Sequence, residues 1–162
     1  MISPHTSSVM RVRPDWIDYN GHMNMAFYNV LFDHALDEFM LGFTLGPDYV
    51  KERNASFFTV EAHVCYHREV TLADPIVVRN RLVGFDDKRM HTFAEMFHAE
   101  EDWLAATSEQ LFLHIDMARK KAARWPEDIR ALMQQAADED CTSPAPEQIN
   151  RSISIATRRG PA

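Results

Sequence analysis

The segment Asp15-Trp16-Ile17-Asp18-Tyr19-Asn20-Gly21-His22-Met23-Asn24 gathers carboxylates, carboxamides and an imidazole immediately ahead of a strongly apolar stretch. Gly21 gives this segment the backbone freedom that a tight turn and a close approach to the main chain require. If the apolar stretch is a helix, its first turn offers unpaired N–H groups and positive dipole potential, suited to an oxygen that gains negative charge during a reaction. Asp18, three residues before Gly21, could act on the carbon bearing that oxygen from the opposite side. Asn20, His22 and Asn24 add three polar groups within the same turn. Asp, Asn and Gly are also ordinary capping residues, and taken alone the segment reads more simply as a helix cap.

The elements around it decide which reading holds. From Asn24 to Phe43 the residues Met25, Phe27, Tyr28, Val30, Leu31, Phe32, Ala35, Leu36, Phe39, Met40 and Leu41 cover most of a helix's circumference. Asn29, Asp33 and Asp37, with His34 and Glu38 beside them, leave a narrow polar stripe, the pattern of a helix buried on most sides. A turn at Gly42 to Pro47 precedes one or two helical turns over Asp48 to Arg53. From Phe57 to Val70 the chain alternates with period two, placing Phe58, Val60, Ala62, Val64 and Tyr66 on one strand face and Thr59, Glu61, His63, Cys65 and His67 on the other. Ile76 to Gly84, Arg89 to His98 and Trp103 to Ile115 read as three more strands, with Asp86-Asp87-Lys88 as a hairpin turn. The expectation is an α+β fold, a four-strand antiparallel meander curled around one long helix, since a parallel sheet would need helical crossovers that this order does not supply. Trp125-Pro126 opens a last short helix with Ile129, Leu132 and Met133 as its apolar stripe. The chain is expected to divide into a folded domain over 1–137 and a mobile polar tail over 138–162.

At 162 residues, 46% hydrophobic and 25% charged, the chain has the composition of one globular domain with a real core. A formal charge of −7 argues against nucleic acid and anionic lipid as partners. Cys65 and Cys141 lie far apart without metal-finger spacing, so neither a disulfide framework nor a structural zinc site is expected and a reducing cytoplasm is the default. The first residues hold no apolar leader, and nowhere does an uncharged run reach transmembrane length, so a soluble, unexported protein without a membrane partner is expected.

Several strings together carry a resemblance: D-x-x-G-H-M-N leading into the apolar helix, Thr59-Val60-Glu61-Ala62-His63, the Asp74-Pro75 turn, the Asp87-Lys88-Arg89 hairpin, and Glu109-Gln110-Leu111-Phe112-Leu113-His114-Ile115-Asp116. From roughly Val9 to Asp116 the chain resembles hotdog-fold acyl-CoA thioesterases of the 4-hydroxybenzoyl-CoA thioesterase type. Within them it is most similar to the domains associated with bacterial L-carnitine dehydrogenases and betainyl-CoA hydrolysis. The resemblance implies a homodimer or homotetramer with active sites at the subunit interface, and no metal or organic cofactor, with coenzyme A entering as part of the substrate. It implies that Asp18 is the catalytic carboxylate, as nucleophile on the thioester or as base toward a water, and that Gly21 and His22 supply N–H groups to the carbonyl oxygen. Asn20, His22 and Asn24 also echo the Asp, Asn and His set of plant acyl-ACP thioesterases, which leaves a side-chain role for His22 open. Two other functions stay in view: a hotdog enoyl-CoA hydratase, whose Asp-x-Asn-x-x-His signature Asp18 to His22 approaches one residue short, and a non-enzymatic acyl-CoA sensing module.

A betainyl group would bring a quaternary ammonium that aromatic faces and an acid should meet. Trp16, Tyr19, Phe57 and Phe58 are the aromatic candidates and Glu61 the acidic one; core packing is the plainer reading of Phe57 and Phe58, and a solvated or interface face that of Glu61 and His63. Lys88 and Arg89, with Arg79 and Arg81 nearby, are candidates for the CoA phosphates, against the simpler reading of a solvated charged hairpin. His63 and His67 share a strand face but lack a ligand cluster, and no metal site is assigned. His91, His98 and His114 are expected at strand surfaces.

Overall fold

The computed structural model describes residues 1–141 and 144–153. Its central element is helix α1 (Met25–Leu41), which Asn24 starts by accepting the Ala26 N–H on its side chain at 3.0 Å. Tyr28, Leu31, Phe32, Ala35, Leu36, Phe39 and Met40, spaced by three and four, are buried and form one stripe. The opposite side carries Asn29, Asp33 and Asp37, and at its two ends Met25 and Leu41 are 64% and 61% exposed. Burial in a single chain is thus one-sided, where the sequence pattern calls for a helix wrapped nearly all round. A short helix α2 (Pro47–Arg53) follows.

Strands β1 (His5–Thr6), β2 (Met10–Arg11), β3 (Ala55–Tyr66), β4 (Pro75–Phe85), β5 (Arg89–His98), β6 (Leu104–Asp116) and β7 (Lys121–Ala122) form one antiparallel sheet in the order β1-β4-β5-β6-β3, with β2 beside β4 and β7 beside β6. The expected meander holds for β4, β5 and β6, and Asp86 closes their first turn by accepting the N–H groups of Lys88 and Arg89 at 2.9 and 2.8 Å. It fails for β3, which pairs with β6 at the far edge rather than with β4. The crossing segment after Tyr66 is pinned to the sheet and to α1: His67 and Arg68 both donate to Ala105 O, Met23 donates to Val70 O at 2.8 Å, and Val70 donates to the Tyr28 hydroxyl at 3.2 Å. Period two tells which residues share a strand face but not which strands are neighbours.

A bulge also corrects the face assignment in β3. The register shifts between Thr59 and Glu61, so Val60 is an extra residue and parity reverses there. Phe57 before the bulge and Val64 after it both pack on the core side. Phe58, expected beside Val64, instead shares the outer face with Glu61 and His63 and is 48% exposed. β4 carries a matching shift between Leu82 and Gly84.

Two of the histidines expected at strand surfaces are buried. His98 stacks on Trp103 with ring centroids 5.1 Å apart and accepts the Glu101 N–H. His114 meets the Tyr49 hydroxyl at 2.8 Å through Nε2, the Ala123 carbonyl at 3.2 Å through Nδ1, and the ring of Trp125. Burial pushes its pKa down, against a smaller upward pull from the Ala123 and Arg124 carbonyls. A histidine held neutral in the fold gives stability that is complete above the unfolded pKa of about 6.5 and is lost as pH falls below it. Thermal melts should therefore drop between pH 7 and 5 more steeply in the native chain than in His114→Gln; parallel pH profiles would exclude His114 as the cause.

Helix α3 (Glu127–Glu139) buries Ile129, Met133 and Ala136 and runs through the boundary expected between 137 and 138. Beyond it Asp140 is buried and takes two hydrogen bonds from Arg81, at 2.9 and 2.8 Å. Arg81 also donates to Pro144 O, Thr107 to the Gln148 side chain, and the Asn150 N–H to Glu109. The described part of the expected tail is thus laid across the outer face from β4 to β6, tied by polar groups that leave no apolar periodicity in the sequence. The last stretch of that expected tail, 154–162, lies outside the described residues. No helix among the described residues is long and apolar enough to cross a membrane.

Candidate active site

The chain enters the site through a 3-10 turn at Pro14–Trp16. Trp16 is buried and stacks on Phe27 at 5.4 Å, so it anchors the entry from within the core. An isolated bridge between Ile17 and Met23 then closes a miniature hairpin, with the Asp18 N–H donating to His22 O at 3.0 Å and the Asn24 N–H to Trp16 O at 2.9 Å. Gly21 lies at its tip with φ of +83°, a conformation that a Cβ would strain even though nothing stands within 4 Å of that position. Its N–H donates to Asp18 O at 3.0 Å and so serves the turn itself. The His22 N–H, by contrast, has no protein acceptor among the described residues. Asp18 accepts the Asn20 N–H on Oδ1 at 2.7 Å, which fixes the carboxylate and leaves Oδ2 without a protein donor among those residues.

A cavity of 510 Å³ opens over this turn, bordered by Asp18 and His22, by Met25 and Tyr28 of α1, by Tyr66 at the end of β3, and by Glu69 of the crossing segment. His22 Nε2 stands 3.7 Å from Glu69 Oε1, an ion pair when the imidazole is protonated. Tyr66 donates to Met25 O at 3.3 Å and meets the ring of Tyr28 edge to face at 5.1 Å. Burial raises the pKa of both phenols, so both remain protonated at neutral pH. A fixed carboxylate with a free oxygen, an unpaired turn N–H and an imidazole lining the same cavity make a site suited to addition at a carbonyl.

Asp18, Asn20, Gly21, His22 and Asn24 are therefore brought together, with Asn24 engaged as the cap of α1. The other candidates are dispersed. Tyr19 is 97% exposed beside the turn. Phe57 lies at the start of β3, about 30 Å from Tyr66 at about 3.3 Å per residue. Glu61 lines a separate 590 Å³ cavity on the outer face with His63, His91 and Glu109, where His91 Nε2 and Glu109 Oε1 are 2.8 Å apart. Lys88 and Arg89 sit at the β4–β5 hairpin, at the Phe57 end of the sheet. Arg89 is paired with Asp86, whose carboxyl it holds down at about 2, while Lys88 makes no ion pair among the described residues. Tyr28, Tyr66 and Glu69 join the site unforeseen. The abrupt change from the period-two run to His67-Arg68-Glu69 marks where β3 ends, but not which turn it ends against. Among the described residues no group of three or more His, Cys, Asp or Glu side chains has the arrangement of a metal site.

One long helix packed by one side on an antiparallel sheet, with a carboxylate-bearing turn just ahead of it, is the hotdog fold. The chain belongs to the thioesterase-like superfamily, matched over residues 12–133. It is 31% identical over 144 residues to the betainyl-CoA thioesterase of Pseudomonas aeruginosa, covering 89% of this chain and 91% of that protein. It is 33% identical over 143 residues to the L-carnitine dehydrogenase/betainyl-CoA thioesterase of Agrobacterium fabrum, covering 88% of this chain but 29% of that larger protein. A Staphylococcus aureus protein solved in complex with CoA superposes with a TM-score of 0.86 at 27% identity, over 93% of this chain and 94% of that one. The activity is that of an acyl-CoA thioesterase.

Proposed function

We propose that the chain hydrolyses betainyl-CoA at Asp18, in an assembly of at least two copies. The hydrolytic part of this reading is carried by the Asp18 turn, where one carboxylate oxygen is anchored, the other has no protein donor among the described residues, and His22 lines the same cavity; the betainyl part is supported by the likeness to the Pseudomonas aeruginosa betainyl-CoA thioesterase. The thioester oxygen is received at the His22 N–H, which the turn ahead of α1 leaves without a protein acceptor among the described residues. Asp18 Oδ2 then either attacks the carbonyl carbon or takes a proton from the water that does. In either course a C–O bond forms, the C–S bond breaks, CoA leaves as thiolate and is reprotonated, and one water is consumed. No metal or organic cofactor enters this balance. Asn20 acts through its N–H on Asp18, Asn24 through the cap, and Gly21 through the turn. Lys88 is the better placed of the two hairpin cations for a CoA phosphate, since Arg89 is already paired.

The second copy is favoured by β3. It is a sheet edge whose unpaired backbone is long and whose Phe58, Val60 and Tyr66 are all exposed, an arrangement that normally finds a partner strand. The free thiols of Cys65 and Cys141 fit a reducing cytoplasm.

A colorimetric thiol-release assay over betainyl, short straight-chain, aromatic and long-chain acyl-CoA esters tests the substrate. Highest kcat/KM on betainyl-CoA is expected. Preference for another acyl group would discard betainyl while keeping the hydrolase, and release from none would favour the sensing-module reading.

A further inference from the structure

Away from Asp18, on the C-terminal half of α1, lies a 470 Å³ cavity bounded by Leu41, Leu45, Tyr49, Val50 and Phe57, with the carboxylate of Asp37 at its rim. Its walls are largely apolar, and Asp37 makes no ion pair among the described residues. Asp37 is on the exposed side of α1, where partial desolvation and the neighbouring Asp33 raise its carboxyl against a weaker opposite pull from His34. Tyr49 is buried and its hydroxyl is held by His114 at 2.8 Å, which fixes the ring. Arg53 lies over that ring at 5.7 Å, but its guanidinium is already bound to Asp128. An apolar cavity with aromatic rings and one carboxylate that has no ion-pair partner among the described residues suits a group that is apolar on its surface and positively charged within, which is a quaternary ammonium. A neutral alkyl group would leave the carboxylate unmatched, and an anionic one would be repelled.

This cavity and the Asp18 cavity lie at opposite ends of β3, since Phe57 borders one and Tyr66 the other. They are too far apart in one chain for a small acyl group to touch both. Two-fold antiparallel pairing of β3 with a second copy sets the Ala55–Phe57 end of one strand beside the Val64–Tyr66 end of the other. We infer that Asp37, Tyr49 and Phe57 of one copy form the acyl pocket for Asp18 of the other, and that Asp37 is the residue selecting a cationic acyl group. The inference rests on the thioesterase reading and on the paired arrangement proposed above. It reassigns the ammonium site from Trp16, which is in the core, and from Phe58 and Glu61, which face outward.

The decisive comparison is betainyl-CoA against tert-butylacetyl-CoA, which has the same shape with carbon in place of the charged nitrogen. The native enzyme should prefer the cationic ester by about tenfold or more in kcat/KM, and Asp37→Asn should cut that preference about 10- to 100-fold by weakening the cationic substrate, while Asp37→Glu retains most of it. Equal loss on both esters, or an unchanged preference, overturns the role of Asp37 and leaves the hydrolase intact. A native enzyme that does not hydrolyse betainyl-CoA overturns the substrate reading itself. A co-expressed hybrid of one Asp18→Asn copy and one Asp37→Asn copy separates cis from trans. A pocket shared between copies rebuilds one native site, giving about half the native rate with native preference. A hybrid that keeps the Asp37→Asn preference would put both residues in one chain's site and overturn the shared pocket.

Discussion

Replacing Asp18 by Asn should lower kcat on a thioester substrate by about 10² to 10⁴, the loss expected when a reacting carboxylate or base is removed. That corresponds to about 2.7 to 5.5 kcal/mol of transition-state stabilisation. Asn is the informative replacement because its side-chain oxygen can still accept the Asn20 N–H, which Asp18 now takes at 2.7 Å, so the turn closes as before. The thermal midpoint should therefore stay close to the native value while turnover falls. Near-native turnover would remove Asp18 from the chemistry. A parallel fall in melting temperature would point instead to a structural role for the turn.

Val60→Glu should have an effect of similar size by a different route. Val60 is the bulged residue near the middle of the free edge strand and is 53% exposed in the single chain. A carboxylate there removes apolar surface from the edge and sets two like charges near the two-fold axis of a paired β3, next to Glu61. Sedimentation should shift from dimer toward monomer, and kcat/KM should fall about 100-fold or more because each Asp18 loses the positioned acyl pocket of the other chain. A surface substitution of this kind costs the chain's own fold little, about 0.5 kcal/mol or less, so circular dichroism should be unchanged. A fully active monomer would show that one chain holds a complete site.

The long elements and the turn that gathers Asp18 to Asn24 were legible because their signals are local, whereas the two-residue strands β1, β2 and β7 are too short to show a period. Asp18 to Asn24 combine a carboxylate, a glycine that must take positive φ and a capping Asn within one short stretch, and short-range backbone hydrogen bonds alone bring them together. The stripe from Tyr28 to Met40 and the hairpin at Asp86–Lys88 rest on equally local periodicity and turn chemistry. Strand neighbours were not legible, because period two is indifferent to which strand lies alongside: β3 went to the far edge of the sheet, where its Tyr66 could close the Asp18 cavity. One bulged residue at Val60 then reversed the strand's parity and sent Phe58 outward. His114 and Asp140 are buried for a related reason, since polar groups become buried wherever distant partners satisfy them, as Tyr49 and Ala123 do for His114 and Arg81 does for Asp140. By itself the sequence determined the long helix, the four long strands and the gathering of polar groups in one turn, all matters of contacts a few residues apart. The tertiary structure alone decided which cavity each side chain entered, and it left a bare strand edge and a half-covered helix on the side where Asp37 lies, because packing between distant segments is set by which surfaces remain to be buried.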